Sequence, residues 1–300
     1  KALAYLNELK KTLTGFDFRI RFNEEHLPVG IVWMNLQMRR HLLQFGDIIF
    51  LDSQKRQYNK LYWPYIGPVI RTGENKIRVI AESVVISEDL ASYQWILESI
   101  AAMEPKWSLS NIRIIFSDGF ITQSLLHQLK IDQTCTLRCD YWHVINEIFP
   151  KEHNFGKLCY PIVESYLKKM LTCDTEQEWN QAFKEAKLLL RDHPIKVDKL
   201  LEIYQRPSYY AGYYIRQIET NLLLLGNSSA ESNHSSITKH VGECGIWTIS
   251  HQISKLMERQ QYFLNMDQNH VDSLFLRQES YISIYNGELG KHDVAAKKAL

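Results

Sequence analysis

Ile48-Ile49-Phe50-Leu51-Asp52 and Ile112-Arg113-Ile114-Ile115-Phe116-Ser117-Asp118 are the two stretches from which the architecture follows. Each is a short run dominated by apolar, largely β-branched or aromatic residues, and each ends in an aspartate. Runs of this length and composition predict central strands buried on both faces. In open α/β sheets, ligand sites gather at the carboxyl ends of the strands. Two carboxylates delivered there by separate strands form a natural oxygen-donor site for a hard cation such as Mg²⁺ or Mn²⁺. The same residues also admit a plainer reading. Asp52 can cap the segment that follows it, and Asp118-Gly119 is a common turn pair. Against the turn stands the helical pattern of 121–129, which excludes a hairpin at that point.

Upstream of the first run, residues 1–13 carry Leu3, Leu6 and Leu9 on one helical face. Phe16, Phe18, Ile20 and Phe22 then alternate with polar residues, the period of a strand with one wet face. A second strand over Val29–Asn35 completes a predicted hairpin, and Gln37–Phe45 reads as a helix bearing Arg39 and Arg40. Between the two runs, 61–70 and 77–86 are strand-like and 88–103 has helical period. A further short strand is expected over 134–139. From Asp140 to about Thr220 strand patterns vanish. Apolar residues such as Val163, Tyr166, Leu167 and Met170 recur every three or four positions, so this block is helical. The expected fold class is α/β, a mixed sheet flanked by helices with an all-helical insertion. The expected organisation is an N-terminal helix and hairpin (1–35), the first part of the core (36–139), the insertion (140–222) and closing helices (223–300).

The chain has 300 residues, 45% of them hydrophobic and 12% aromatic, enough to build a sizeable core. Its formal net charge of +1 gives no global basic field. Any nucleic-acid contact must come from local patches, bound metal or another part of the protein. An opening at Lys1, directly on a helical pattern, is what a fragment of a longer protein shows. Five cysteines without a CxxC pair argue against a disulfide framework and fit a reducing compartment. With no run long enough to span a bilayer, the expectation is a soluble intracellular protein with no membrane partner.

Four blocks resemble the catalytic domain of Mutator-like element transposases over about residues 16–265. They are Phe50-Leu51-Asp52-Ser53 with Lys55-Arg56-Gln57 and Trp63-Pro64-Tyr65-Ile66-Gly67; Glu88-Asp89-Leu90-Ala91-Ser92-Tyr93-Gln94-Trp95; Ile115-Phe116-Ser117-Asp118; and Ala230-Glu231-Ser232-Asn233-His234-Ser235-Ser236-Ile237. The resemblance implies an RNase H-like fold of the DDE superfamily, with Asp52, Asp118 and Glu231 as the catalytic and metal-binding triad. By spacing alone, the better reading of Glu231 is the fourth residue of a capping box that begins at Ser228. The gap from Asp118 to Glu231 is much longer than in simple members of that fold, and the helical block fills it.

What the resemblance further implies is DNA cleavage and strand transfer assisted by two Mg²⁺ or Mn²⁺ ions about 3.5–4 Å apart, with Asp52 bridging them. The partners are then double-stranded DNA, as transposon ends and target, and a second copy of the chain, and the compartment is the nucleus. Lys55, Arg56, Arg71, Lys239 and His240 are candidate phosphate contacts, each also readable as part of a solvated charged face. Asn233 belongs to the motif around the third acid. The family often has a C-x-x-H motif where this chain has Cys139 and His143 with three residues between. Cys135, Cys139 and His143 lack an evident fourth zinc ligand. Trp142 and Trp179 are candidate DNA-holding aromatics or core residues. The competing functional reading is a domesticated, catalytically silent transposase that binds DNA as a transcriptional regulator.

Overall fold

The apolar runs around Asp52 and Asp118 become neighbouring strands in a computed structural model of the chain. The structure describes residues 1–54, 58–74, 76–117, 123–139, 144, 160–214, 233, 235–239 and 247–268. In chain order these form α1 (Ala2–Thr12), β1 (Asp17–Phe22), β2 (Pro28–Met34), α2 (Leu36–Phe45), β3 (Ile48–Leu51) and β4 (Ser53–Gln54). There follow β5 (Tyr65–Ile66), β6 (Val69–Arg71), β7 (Ile77–Val79), β8 (Glu82–Val85) and α3 (Leu90–Met103). A 3-10 turn (Leu109–Asn111) leads to β9 (Ile114–Ser117), α4 (Gln123–Gln128) and β10 (Thr136–Cys139). Helices α5 (Tyr160–Thr172), α6 (Glu176–Leu189), α7 (Pro194–Tyr204) and α8 (Pro207–Tyr210) come next. The chain divides into two compact units, residues 1–250 and 251–300. Of the second, residues 251–268 are helical, with Lys255 and Glu258 paired at 2.6 Å across one turn.

The fold is mixed α/β, with the strands in two five-stranded sheets. One has the order β1-β2-β8-β5-β4 and is antiparallel throughout. The other has the order β10-β9-β3-β6-β7. In it β3, β9 and β10 run parallel, while β6 and β7 form an antiparallel meander on the other flank of β3. The sequence predicts one continuous strand in each of the segments 61–70 and 77–86. Each is instead divided between the sheets, at Gly67-Pro68 and at Ile80-Ala81. Pro68 has no N–H to offer a ladder. The register also slips by one residue between the pairs Val69↔Val79 and Ile66↔Ser83, as a bulge produces. The third crossing lies between β3 and β4, and the residue at it is Asp52.

Helix α3 starts at Asp89, whose carboxylate accepts the Ser92 N–H at 2.7 Å, and buries Ile96, Leu97 and Ile100. It lies so close to β2 that a Cβ on Gly30 would meet the Trp95 ring at 3.0 Å. Arg39 of α2 ties this region together. Its Nε donates to the Gly15 carbonyl at 2.9 Å, and it pairs with Asp17 at 3.7 Å and Glu104 at 3.4 Å.

Residues 160–214 contain no strand. In α6, Trp179, Ala182, Phe183 and Ala186 are buried at three- and four-residue spacing. Trp179 and Phe183 stack on Tyr204 of α7, with centroids 6.1 and 3.8 Å away. Trp179 is thus a core residue. The block is fastened to the sheet by Arg138 of β10, which is 2% exposed. Its guanidinium donates to the carbonyls of Ser208 at 2.8 Å and Ala211 at 2.7 Å. Burial pushes its pKa down to about 10, far above neutrality, so the cation persists and depends on these acceptors.

Candidate functional site

Asp52 is 4% exposed. Its Oδ1 accepts the Ser53 N–H at 2.7 Å, which orients the carboxylate at the point where the strand leaves one sheet for the other. The pairing is in the same register on both sides of that point, with Phe50 opposite Val69 and Ser53 opposite Ile66, so Gly67 stands across from Asp52. On the other flank β9 runs parallel to β3, with Phe50 beside Phe116 and Leu51 beside Ser117. The two phenyl rings stack at 4.9 Å with an interplanar angle of 11°. The residues that immediately precede Asp52 and Asp118 are therefore neighbours at the carboxyl ends of adjacent parallel strands. Asp118 itself lies outside the described residues.

A third segment meets these strands. Residues 235–239 are helical, and Asn233 just before them is buried. The Thr238 hydroxyl lies 2.9 Å from the Tyr58 hydroxyl and accepts from Gln54 Nε2 at 3.3 Å. Farther on, the Lys60 N–H donates to the Trp247 carbonyl at 2.8 Å. The segment that begins two residues after Glu231 is thus fastened to β4, two residues after Asp52. Glu231 lies outside the described residues, as do Lys55, Arg56, Trp142, His143 and His240.

Of the other expected contacts, Lys239 is exposed on the short helix, beside Thr238 in sequence. Arg71 is near Asp52 in sequence but not in the sheet. From Val69, which faces Phe50, the antiparallel strand carries Arg71 back toward Ile48. Its guanidinium lies 5.8 Å from the Phe50 ring centroid, and partial burial lowers its pKa. Cys135 and Cys139 are both buried. Burial pushes the Cys135 thiol up to about 12, which disfavours the thiolate that zinc requires. Among the described residues no three His, Cys, Asp or Glu side chains come together as a metal-binding group.

The sequence reading missed a polar pair beside Asp52. Tyr65 and Glu82 are fully buried, and the Tyr65 hydroxyl donates to the Glu82 carboxylate. The phenol lies over Gly67, where a Cβ would fall 1.9 Å from its oxygen. A glutamate within the largely apolar stretch Val79-Ile80-Ala81-Glu82-Ser83-Val84-Val85 is the signal that could have found it. No known family model matches the chain, and no curated protein matches it in sequence.

Proposed function

We propose that the chain is the catalytic domain of a DDE-type transposase of the Mutator-like class, a metal-dependent enzyme that cleaves and joins DNA strands on an RNase H-like core. The observation that carries this reading is the parallel register of Leu51 with Ser117. It brings the two aspartate-ended runs out at one end of the sheet. The contacts of Thr238, in the helical residues 235–239, with Gln54 and Tyr58 support a third acid, Glu231, arriving at the same end. A sheet in which the first-acid strand sits between an antiparallel meander and a parallel strand carrying the second acid supports the RNase H-like assignment.

Asp52, Asp118 and Glu231 are hard oxygen donors, which suits Mg²⁺ or Mn²⁺. Bound there, such ions supply Lewis-acid stabilisation of charge on the phosphate and on the attacking and leaving oxygens. The protein's own part is positional. The backbone N–H of Ser53 orients the Asp52 carboxylate. The carboxylate is nearly fully buried, and the Phe50 and Phe116 rings stack on each other one residue before the strand ends. The reading implies double-stranded DNA as substrate and a second copy of the chain when two ends are joined. No helix among the described residues is long and apolar enough to cross a membrane.

The test is cleavage of a duplex oligonucleotide in Mn²⁺ by the wild type and by Asp52→Asn, Asp118→Asn and Glu231→Gln. Each substitution abolishes cleavage while circular dichroism is unchanged. An active Asp52→Asn protein overturns the assignment.

A further inference from the structure

Two residues beyond Asp52, a buried oxygen has no hydrogen-bond partner. It is Oε1 of Gln54, in β4, a residue that is 7% exposed. The other end of the same amide is fixed. Its Nε2 donates to the Thr238 hydroxyl at 3.3 Å, and that hydroxyl lies 2.9 Å from the hydroxyl of Tyr58. Neighbouring donors in the sheet are committed elsewhere. The Ser53 N–H goes to Asp52 at 2.7 Å. Tyr65 pairs directly with Gln54, and its hydroxyl donates to Glu82. A buried acceptor without a donor costs the fold stability. Native proteins carry few such atoms, and a bound cation is one of the things that satisfies them.

The register puts this oxygen on the side of Asp52. Pairing is unbroken from Phe50↔Val69 to Ser53↔Ile66 and Gln54↔Tyr65, so the strand keeps its alternation through Asp52. Alternate residues of a strand share one face, and two steps span about 6.6 Å. A glutamine side chain crosses enough of that gap for its oxygen and the Asp52 carboxylate to meet on one ion, at about 2.1 Å from each. Resting on the metal-dependent reading above, we infer that Gln54 is a further ligand of the cation bound at Asp52, with Oε1 as an uncharged oxygen donor. Carbonyl oxygens are hard donors that suit Mg²⁺ or Mn²⁺, as carboxylates do. A neutral ligand also adds no further repulsion beside Asp52, Asp118 and Glu231. Thr238 fixes which end of the amide is left for the ion, so the segment after Glu231 braces the ligand as well.

The test is calorimetry with Mn²⁺ on the full chain, with circular dichroism as the folding control. The wild type binds Mn²⁺. Gln54→Met keeps the length of the side chain but offers only a soft thioether. It binds at least about ten-fold more weakly, the smallest loss usual when a metal site is deprived of a partner. Gln54→Glu keeps an oxygen at the same reach and adds charge, so it binds Mn²⁺ more tightly than the wild type. That gain separates a ligand from a residue that only holds Thr238 in place. Should Gln54→Met not fold, Gln54→Glu alone decides. If Gln54→Met binds as the wild type does, or Gln54→Glu binds no more tightly, Gln54 is not a ligand and the metal site at Asp52 stands without it. If the wild type binds no Mn²⁺, the metal-dependent reading falls and this inference with it.

Discussion

Replacing Gly67 with alanine puts a methyl group where the Tyr65 side chain already is. The new Cβ would stand 1.9 Å from the phenol oxygen, 2.5 Å from Cζ and 2.9 Å from Cε1. A long exposed side chain would swing away at little cost. Tyr65 is fully buried, and its hydroxyl is engaged by the buried Glu82 carboxylate. To make room the ring must shift and release that hydrogen bond. Overpacking costs about 1–3 kcal/mol, and a lost hydrogen bond that leaves a buried polar group unsatisfied costs about 1–3 kcal/mol more. Gly67→Ala is therefore expected to destabilise the protein by about 2–6 kcal/mol. At about 2–4 °C per kcal/mol for a unit of this size, melting falls by roughly 4–24 °C. Urea denaturation followed by tryptophan fluorescence measures the loss. Tyr65→Phe isolates the hydrogen-bond part, about 1–3 kcal/mol. A Gly67→Ala protein within about 0.5 kcal/mol of wild type, the range of an ordinary surface change, refutes this account of the sheet crossing beside Asp52.

Arg138→Met keeps the apolar length of the side chain but deprives the Ser208 and Ala211 carbonyls of their donor. It should cost about 2–5 kcal/mol and speed amide exchange in residues 207–211, read by mass spectrometry. Asp89→Ala removes the α3 cap and costs about 1 kcal/mol at neutral pH. Burial opposes ionisation of Asp89, but hydrogen bonds from Ser87 and Ser92 outweigh it and hold the folded pKa below the ordinary 3.8. This contribution is present above 3.8 and is lost as pH falls through the lower folded value, so wild type and variant converge in urea melts at acid pH. Thr238→Val removes the hydroxyl that meets Tyr58 and Gln54 and should cost about 1–2 kcal/mol. It should also weaken Mn²⁺ binding, while Thr238→Ser retains both.

What could be read from sequence was what local pattern encodes. Alternating Phe16, Phe18, Ile20 and Phe22 gave the hairpin strand, and the runs before Asp52 and Asp118 gave two buried strands, because composition and period carry that information directly; that the two are parallel neighbours is seen only in the sheet. The helical block was legible from its three- and four-residue spacing. The division of 61–70 and 77–86 between two sheets was not. A proline and a bulge end a ladder only in relation to the strand opposite, and a single chain does not display its partners. Arg71 looked close to the acid because sequence distance was the only ruler, whereas register carries it to the far end of β3. The contact of Thr238 with Gln54 joins positions 184 residues apart, and no local signal announces it. Glu82 was the exception, a charge in an apolar strand that could have been singled out.

The central claim is that carboxylates from two adjacent strand ends share a metal site. Calorimetry with Mn²⁺ on the wild type and on the Asp52→Asn/Asp118→Asn double variant tests it most directly, with circular dichroism as the control for folding. The account predicts binding by the wild type that is lost in the double variant at unchanged ellipticity. Equal binding by both proteins, or binding by neither, contradicts it and leaves the two aspartates as the cap and the turn that local pattern also allows.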